Sequence, residues 1–364
     1  MNAETRALLI DLRRRLHDCP ELSGREDGTR ALLRDFLRAH TTLGLEEVAG
    51  ALIAIHREGE GLPTLAFRAD MDAIPDGRGG ARHGCGHDGH SAALCGLALA
   101  LEGRRVGGNV ALLFQPAEET GEGAKGVCAA WPGLDSVARI YALHNIPGFP
   151  RGAVLMRRGC FACASCGLVV TLTGRPAHAA YPGDGANPCA LLSRLVLALP
   201  EMIQAVLAGA DRLLMHTVVG LRAGGEDFGL SAAEGRLCLT LRGHRQADID
   251  ALIGRIEAAA RAGCAEEGLR CSFELRDVFP DTTNDSAAFD EALARFHSAG
   301  LPVVPLAEPM RWSEDFGWFL KRRPGVYFGI GAGEDCPGLH TAEYGFDDAL
   351  LEAALRALCA LLPS

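Results

Sequence analysis

The stretch PTLAFRADMDAIPDGRGGARHGCGHDGHSAALCGLALALEGRRVGGNVALLFQPAEE, residues 63–119, carries the reading of the fold. PTLAFRAD (63–70) reads as a short buried strand that ends in acids. GHSAALCGLALALEG (89–103) reads as a small-residue apolar helix and GNVALLFQP (108–116) as a second strand. Outward from this core, ARIYALHN (138–145) is another strand, LEEVAGALIAIHRE (45–58) a strand pair, and residues 4–18 and 27–39 have helical apolar spacing. Strands alternating with helices predict an α/β fold with a mostly parallel sheet flanked by helices. Ligands in such sheets collect beyond the carboxyl ends of the strands. Polar side chains cluster at those ends: Asp70 and Asp72 after one strand, Glu118 and Glu119 after the next, His144 at the end of a third.

From about residue 165 the pattern changes to strand (166–174), helix (187–207), strands (212–224 and 235–244), helix (247–263) and strand (270–278). That order is the α+β, ferredoxin-like arrangement. It predicts a second domain, residues 164–278, inserted into a first made of 1–163 and 279–364.

A length of 364 residues with 48% hydrophobic and 23% charged side chains is the mix of an ordinary globular chain of about two domains. Acids outnumber bases 46 to 36, so the net charge is −10. That disfavours a nucleic-acid partner, because phosphate binding needs a basic face. The opening MNAETRALLIDLRRRLHDCPELS reads as an amphipathic helix, not a signal peptide. The apolar run near residue 191 is broken by Arg194, Pro200 and Glu201, so no membrane partner is expected. Thirteen scattered cysteines fit small buried side chains in a reducing cytoplasm.

Cys85 needs a different account. HGCGHDGH (83–90) places imidazoles, a thiol and a carboxyl among glycines that let the backbone bend around an ion. Cys85 and His87 can point at one centre, and thiolate with imidazole suits zinc or a similar borderline metal. Asp88 and His90 read instead as groups of a helix start, with Asp88 a candidate cap. In QPAEETGEGAKG (115–126), one carboxylate of the Glu-Glu pair can bind a metal while the other acts as general base. His340 is delivered by the glycine-rich GIGAGEDCPGLH just before the last helix. His17, His40, His56, His216, His244 and His297 read as structural.

With these motifs assembled, the chain resembles the zinc-peptidase-like amidohydrolases, the group of hippurate hydrolases, N-acyl-amino-acid deacetylases, aminoacylases and auxin-conjugate hydrolases. LHDCPELSGRE (16–26), RADMDAIP (68–75), HGCGHDGH (83–90), QPAEE (115–119), ALHN (142–145), RPAHAAYPGDGANP (175–188), SEDF (313–316) and GLHTAEYGFDD (338–348) carry the resemblance. It implies two divalent ions per chain (zinc, manganese, nickel or cobalt) held by Cys85, His87, Glu119, His144 and His340. It implies Glu118 as the general base that deprotonates a metal-bound water and later protonates the leaving nitrogen. Asp70 and Asp72 would orient the ligands, and His178, in the inserted domain, would polarise the scissile carbonyl. A homodimer formed through the inserted domain is expected, with the apolar helix at 187–207 as a contact.

One departure stands out. Where the family carries an Asn-Val-Ile-Pro-like segment, this chain has GGEDFGLSAAEG (224–235), with Glu226 and Asp227 in place of the asparagine. Arg242 or Arg222 is then the expected partner of a substrate carboxylate. The reading is a metal-dependent hydrolase of the amide bond of N-acyl amino acids or similar small amides. The competing readings are a dinuclear dipeptidase or aminopeptidase, and a non-catalytic metal or ligand-binding relative.

Overall fold

The computed structural model describes residues 1–363. It divides into two compact units, one of Met1–Phe161, Thr282–Met310 and Glu314 onward, the other of Ala162–Asp281 with Arg311–Ser313. The short return Arg311–Ser313 has no counterpart in the boundaries expected from sequence. Hydrogen bonds hold it to the second unit: Cys163 N–H donates to Trp312 O at 3.2 Å, and Arg242 donates to Arg311 O and Ser313 Oγ, both at 2.8 Å.

The main strands, in chain order, are β1 (Gly44–Val48), β2 (Ala51–His56), β3 (Thr64–Asp70), β4 (Asn109–Gln115), β5 (Val137–Pro147), β6 (Val154–Met156), β7 (Ala164–Thr173), β8 (Leu214–Ala223), β9 (Glu234–Gly243), β10 (Arg270–Phe279), β11 (Val303–Pro305) and β12 (Gly325–Gly333). In the first unit an eight-stranded sheet runs β1-β2-β4-β3-β5-β12-β6-β11. Its centre, β4-β3-β5-β12, is parallel throughout, with Asp70 opposite Gln115 in the β3–β4 register. The antiparallel pairs are β1–β2, β2–β4 and β12–β6. The carboxyl ends of the central strands therefore lie side by side.

Helix α1 (Ala3–His17) starts where the Asn2 side chain accepts the Thr5 N–H at 2.7 Å. It buries Leu9, Leu12 and Leu16 along one face, each contributing about 1.5–3 kcal/mol. Helix α2 (Asp27–His40) follows, and α3 (His87–Leu101) lies almost wholly inside the core. A Cβ at Gly96 of α3 would come within 2.8 Å of Leu9 Cδ1, so the small residue permits α1 to approach. The last helix, Leu350–Ala360, packs on α3 from another side.

The second unit has a fully antiparallel sheet in the order β8-β9-β7-β10, with its own core. Two helices cover one face, α4 (Cys189–Leu207) and α5 (Gln246–Glu267). Among the described residues, α4 is the one helix long and apolar enough to cross a membrane. Leu191, Leu192, Leu195, Leu199 and Ile203, at helical spacing, are buried in this unit's core, while Leu197 stays 79% exposed.

Candidate metal centre

Every candidate ligand comes from the carboxyl edge of the first unit's sheet. Asp70 is the last residue of β3 and is fully buried. Its carboxylate accepts Arg68 Nη1 at 2.8 Å and faces His90 Nδ1 at 2.6 Å. Burial alone would raise its pKa, but the charges of His87, His90 and Arg68 hold it well below the usual carboxylate range. Two residues on, Asp72 Oδ1 lies 3.1 Å from His87 Nδ1, and its Oδ2 accepts both Ser23 Oγ at 2.7 Å and Glu119 N–H at 3.0 Å. Asp72 thus fixes the His87 ring so that Nε2 faces inward.

The glycines are demanded by the packing. Gly86 opens α3 with φ of 108°, and a Cβ there would stand 2.2 Å from Asn145 Oδ1. The bend lets Cys85 and His87 converge. Cys85 Sγ is 3.3 Å from His144 Nε2, whose other nitrogen, Nδ1, faces the Asn145 carbonyl at 2.7 Å. His340 has φ of 65°, a conformation that costs a non-glycine residue about 1–3 kcal/mol. Arg82 Nη2 donates to its carbonyl at 2.6 Å, and the His340 N–H donates to Gly84 O. Its Nε2 lies 3.4 Å from Glu119 Oε1, which is itself 3.8 Å from His87 Nε2.

Cys85, His87 and His144 form one group of donor atoms within 4.8 Å of each other, and Cys85, Glu119 and His340 form another. His87 Nε2 and Glu119 Oε1 are buried and make no hydrogen bond. Ligands at about 2.0–2.3 Å in a tetrahedral shell are about 3.3–3.8 Å apart. The contacts of 3.3, 3.4 and 3.8 Å above fall in that range. Sulfur, imidazole and carboxylate donors with orphaned inward atoms fit a borderline-soft divalent ion. Without an ion, burial keeps the Cys85 thiol above its usual pKa, and the neighbouring Cys85 and Glu119 groups push His340 up to about 10.

Glu118 stands beside this set, 6% exposed. Burial, reinforced by Glu314, Glu119 and Asp315, raises its pKa well above the carboxylate range. The sequence named neither Glu314 nor Asp315 as site residues. Both pair with Arg68, whose Nη2 is 2.9 Å from each, while Arg68 Nε donates to Gln115 at 2.8 Å. The signal was an arginine inside an otherwise apolar strand, together with the SEDF motif.

Two expectations are corrected. Asp88 does not cap α3, which begins at Gly86 without a side-chain cap. Its carboxylate is drawn to α1 instead, 2.7 Å from His17 Nδ1 and 3.4 Å from Arg13 Nη1. His90 is more than part of a helix start, being buried between Asp70 and Asn145, with Asn145 Oδ1 2.6 Å from its Nε2. His178 and Arg242 belong to the second unit. His178 Nδ1 accepts the Ala180 N–H at 3.0 Å, and its ring is 5.9 Å from that of Tyr181.

The sequence pattern of peptidase family M20/M25/M40 matches residues 66–364. The chain belongs to this family. It is accordingly a metal-dependent amidohydrolase. Among its M20/M25/M40 relatives, an N-acetyldiaminopimelate deacetylase of Shouchella clausii is 30% identical over 97% of both chains. An N-acetyl-L-cysteine deacetylase of Bacillus subtilis is 30% identical over 95% of this chain and 85% of that protein. A crystal structure from methicillin-resistant Staphylococcus aureus superposes with a TM-score of 0.90 at 25% identity, covering 98% of this chain and 96% of the other. The fold is also that of a Bacillus subtilis dinuclear metal binding peptidase of family M20, with a TM-score of 0.84, 24% identity, and coverage of 99% and 98%.

Proposed function

We propose that this chain hydrolyses the amide bond of small N-acyl amino acids, with two divalent ions held by Cys85, His87, Glu119, His144 and His340. The carrying observation is the pair of donor groups that share Cys85, with Glu118 beside them. The names of the deacetylase relatives support the substrate class. Zinc, nickel, cobalt or manganese would acidify water and draw charge from a carbonyl oxygen there.

The chain's own groups do the rest. Asp72 and the Asn145 carbonyl fix the His87 and His144 rings, and Asp70 fixes His90. Glu118 takes the proton of the attacking water and hands it to the departing nitrogen; its raised pKa makes it a stronger base than an exposed carboxylate. His178, with Nδ1 accepting from the backbone, presents an Nε2–H that donates a hydrogen bond to the substrate carbonyl oxygen. The expected readout is Glu118→Gln: zinc content is kept, and turnover of N-acetyl amino acids falls by about 10²–10⁴. Undiminished turnover would sink the assignment.

The chain acts in this reading as a cytoplasmic homodimer. Thirteen free thiols suit a reducing compartment. Leu197 on α4 and Val219 and Leu221 on edge strand β8 are exposed apolar groups suited to a second copy. Light scattering that finds a monomer at working concentration removes the dimer.

A further inference from the structure

Glu118 and Glu119 are neighbours in the chain, and in an extended segment their side chains would point to opposite faces. Here one oxygen of each and a ring nitrogen of His87 all lie within 4.8 Å of one another. The chain is turned by Ala117, the residue before them, at φ of 53°. That left-handed conformation is costly for a residue with a Cβ, and such outliers persist where the surrounding structure holds them. The turn closes tightly behind it. Gly123 N–H donates to Ala117 O at 3.1 Å and Gly121 N–H to Glu118 O at 2.8 Å, and a Cβ at Gly123 would collide with Pro116 O.

The group that holds this turn comes from the loop before α2. Pro116 has no N–H, so Ala117 presents the first backbone donor after β4. That N–H donates to Glu26 Oε1 at 2.8 Å, and the same oxygen accepts the Gly24 N–H at 2.8 Å. Glu26 is 2% exposed. Its loop is anchored in turn on the end of β3. The Ala73 N–H donates to Glu21 O at 2.8 Å, and Ser23 Oγ donates to Asp72 Oδ2 at 2.7 Å, the oxygen that also receives the Glu119 N–H. At the start of α2, the Glu21 carboxylate accepts the N–H groups of Gly28 and Thr29. Glu26 is thus a fixed, buried acceptor aimed at the strained residue that sets the direction of both carboxylates.

We infer that Glu26 is a positioning residue for the hydrolysis: by accepting the Ala117 N–H it holds the strained turn that sets Glu118, as base, and Glu119, as ligand, on one centre. The inference rests on the reading under Proposed function and deepens it. It gives LHDCPELSGRE (16–26), a segment that supplies no ligand, a part in the chemistry. The acceptor oxygen matters here and the charge does not, since the groups it meets are neutral backbone amides.

The test is steady-state hydrolysis of N-acetyl-methionine at saturating zinc. Glu26→Leu removes the acceptor at similar volume, and kcat should fall about 10–100-fold with KM within about twofold. Glu26→Gln keeps the oxygen and should retain most of the rate. Ala117→Gly, added to Glu26→Leu, should restore part of kcat, because glycine holds a positive φ without support. A merely structural Glu26 would lower the melting temperature and leave kcat of the folded, zinc-loaded enzyme unmoved. Unchanged kcat in Glu26→Leu, equal losses in the Gln and Leu variants, or no recovery with Ala117→Gly overturns the inference. If Glu26→Leu does not fold, Glu26→Asp, with its carboxylate drawn back by one methylene, takes its place: kcat should fall in Asp and hold in Gln, and any other order overturns the inference. If the wild type cleaves no N-acetyl amino acid, the proposed function has failed, and the turn is read by hydrogen exchange at the Ala117 amide and by zinc titration. In Glu26→Leu, exchange at least about tenfold faster and zinc binding about 10–100-fold weaker than in Glu26→Gln sustain the positioning of Glu119; failure of either overturns it.

Discussion

Arg68→Met probes the buried charge balance behind Glu118. The guanidinium is fully enclosed, bonded to Gln115 and Asp70 and 2.9 Å from both Glu314 and Asp315. Its loss leaves Asp70, Glu314, Asp315 and Glu118 facing one another, none more than 6% exposed. Breaking a buried ion pair at one partner costs about 3–5 kcal/mol, a large share of the roughly 5–15 kcal/mol that keeps a domain folded. At about 2–4 °C per kcal/mol, the melting temperature should drop by about 6–20 °C. The pH dependence separates this from a packing defect. Burial and neighbouring charges already hold Glu118 and Asp315 well above the usual carboxylate range, and removing Arg68 makes their ionised forms costlier, so the deficit is largest at neutral pH. It should shrink as acid protonates them. Neutralising Glu314 and Asp315, as Gln and Asn, in the Arg68→Met background should restore part of the loss. Thermal and urea unfolding followed by circular dichroism, at neutral and mildly acidic pH, reads all of this. A deficit below about 1 kcal/mol, or one that does not change with pH, refutes the reasoning.

Two further outcomes follow from specific contacts. Gly86→Ala drives a Cβ into Asn145 Oδ1 and to 2.8 Å from the Tyr344 hydroxyl, so the Asn145 contact with His90 should break and zinc affinity fall by about 10–100-fold; a zinc titration indistinguishable from wild type contradicts the placement. In the second unit, the hydrogen bond from Arg212 lowers the Asp248 pKa. Its stabilisation is present above the unfolded carboxyl pKa and is lost as pH falls through the lower folded value. Asp248→Asn should therefore be less stable than wild type at neutral pH and converge with it in acid, as urea unfolding across pH would report.

Much of the centre could be read from sequence because its chemistry stands at strand ends. Asp70, Glu118 and His144 each end or follow a continuous apolar run, and such a run that gives way to an acid or imidazole marks the sheet edge where ligands gather. Cys85 and His87 stood out because glycines flank them. What stayed hidden depends on partners distant in the chain. Arg68 sits inside a strand, and only its meeting with Glu314 and Asp315, more than two hundred residues later, explains a guanidinium there. Asp88 looked like a cap because local rules place acids in a first helical turn, but α1 brought Arg13 and His17 to it.

Helix α3 presents His87, Asp88 and His90 to different neighbours: the ligand set, α1, and Asp70 at the end of β3. Farther along, Leu9 closes on Gly96 from one side and Leu355 from another. The helix behaves as a keyed shaft. From His87 to Cys95 this rod is buried on every side, so a change in volume there meets no solvent side that could absorb it, and crowding along that stretch turns or slides the helix as a body. Repacking this core is therefore also a way to detune the chemistry, several turns from the atoms that perform it.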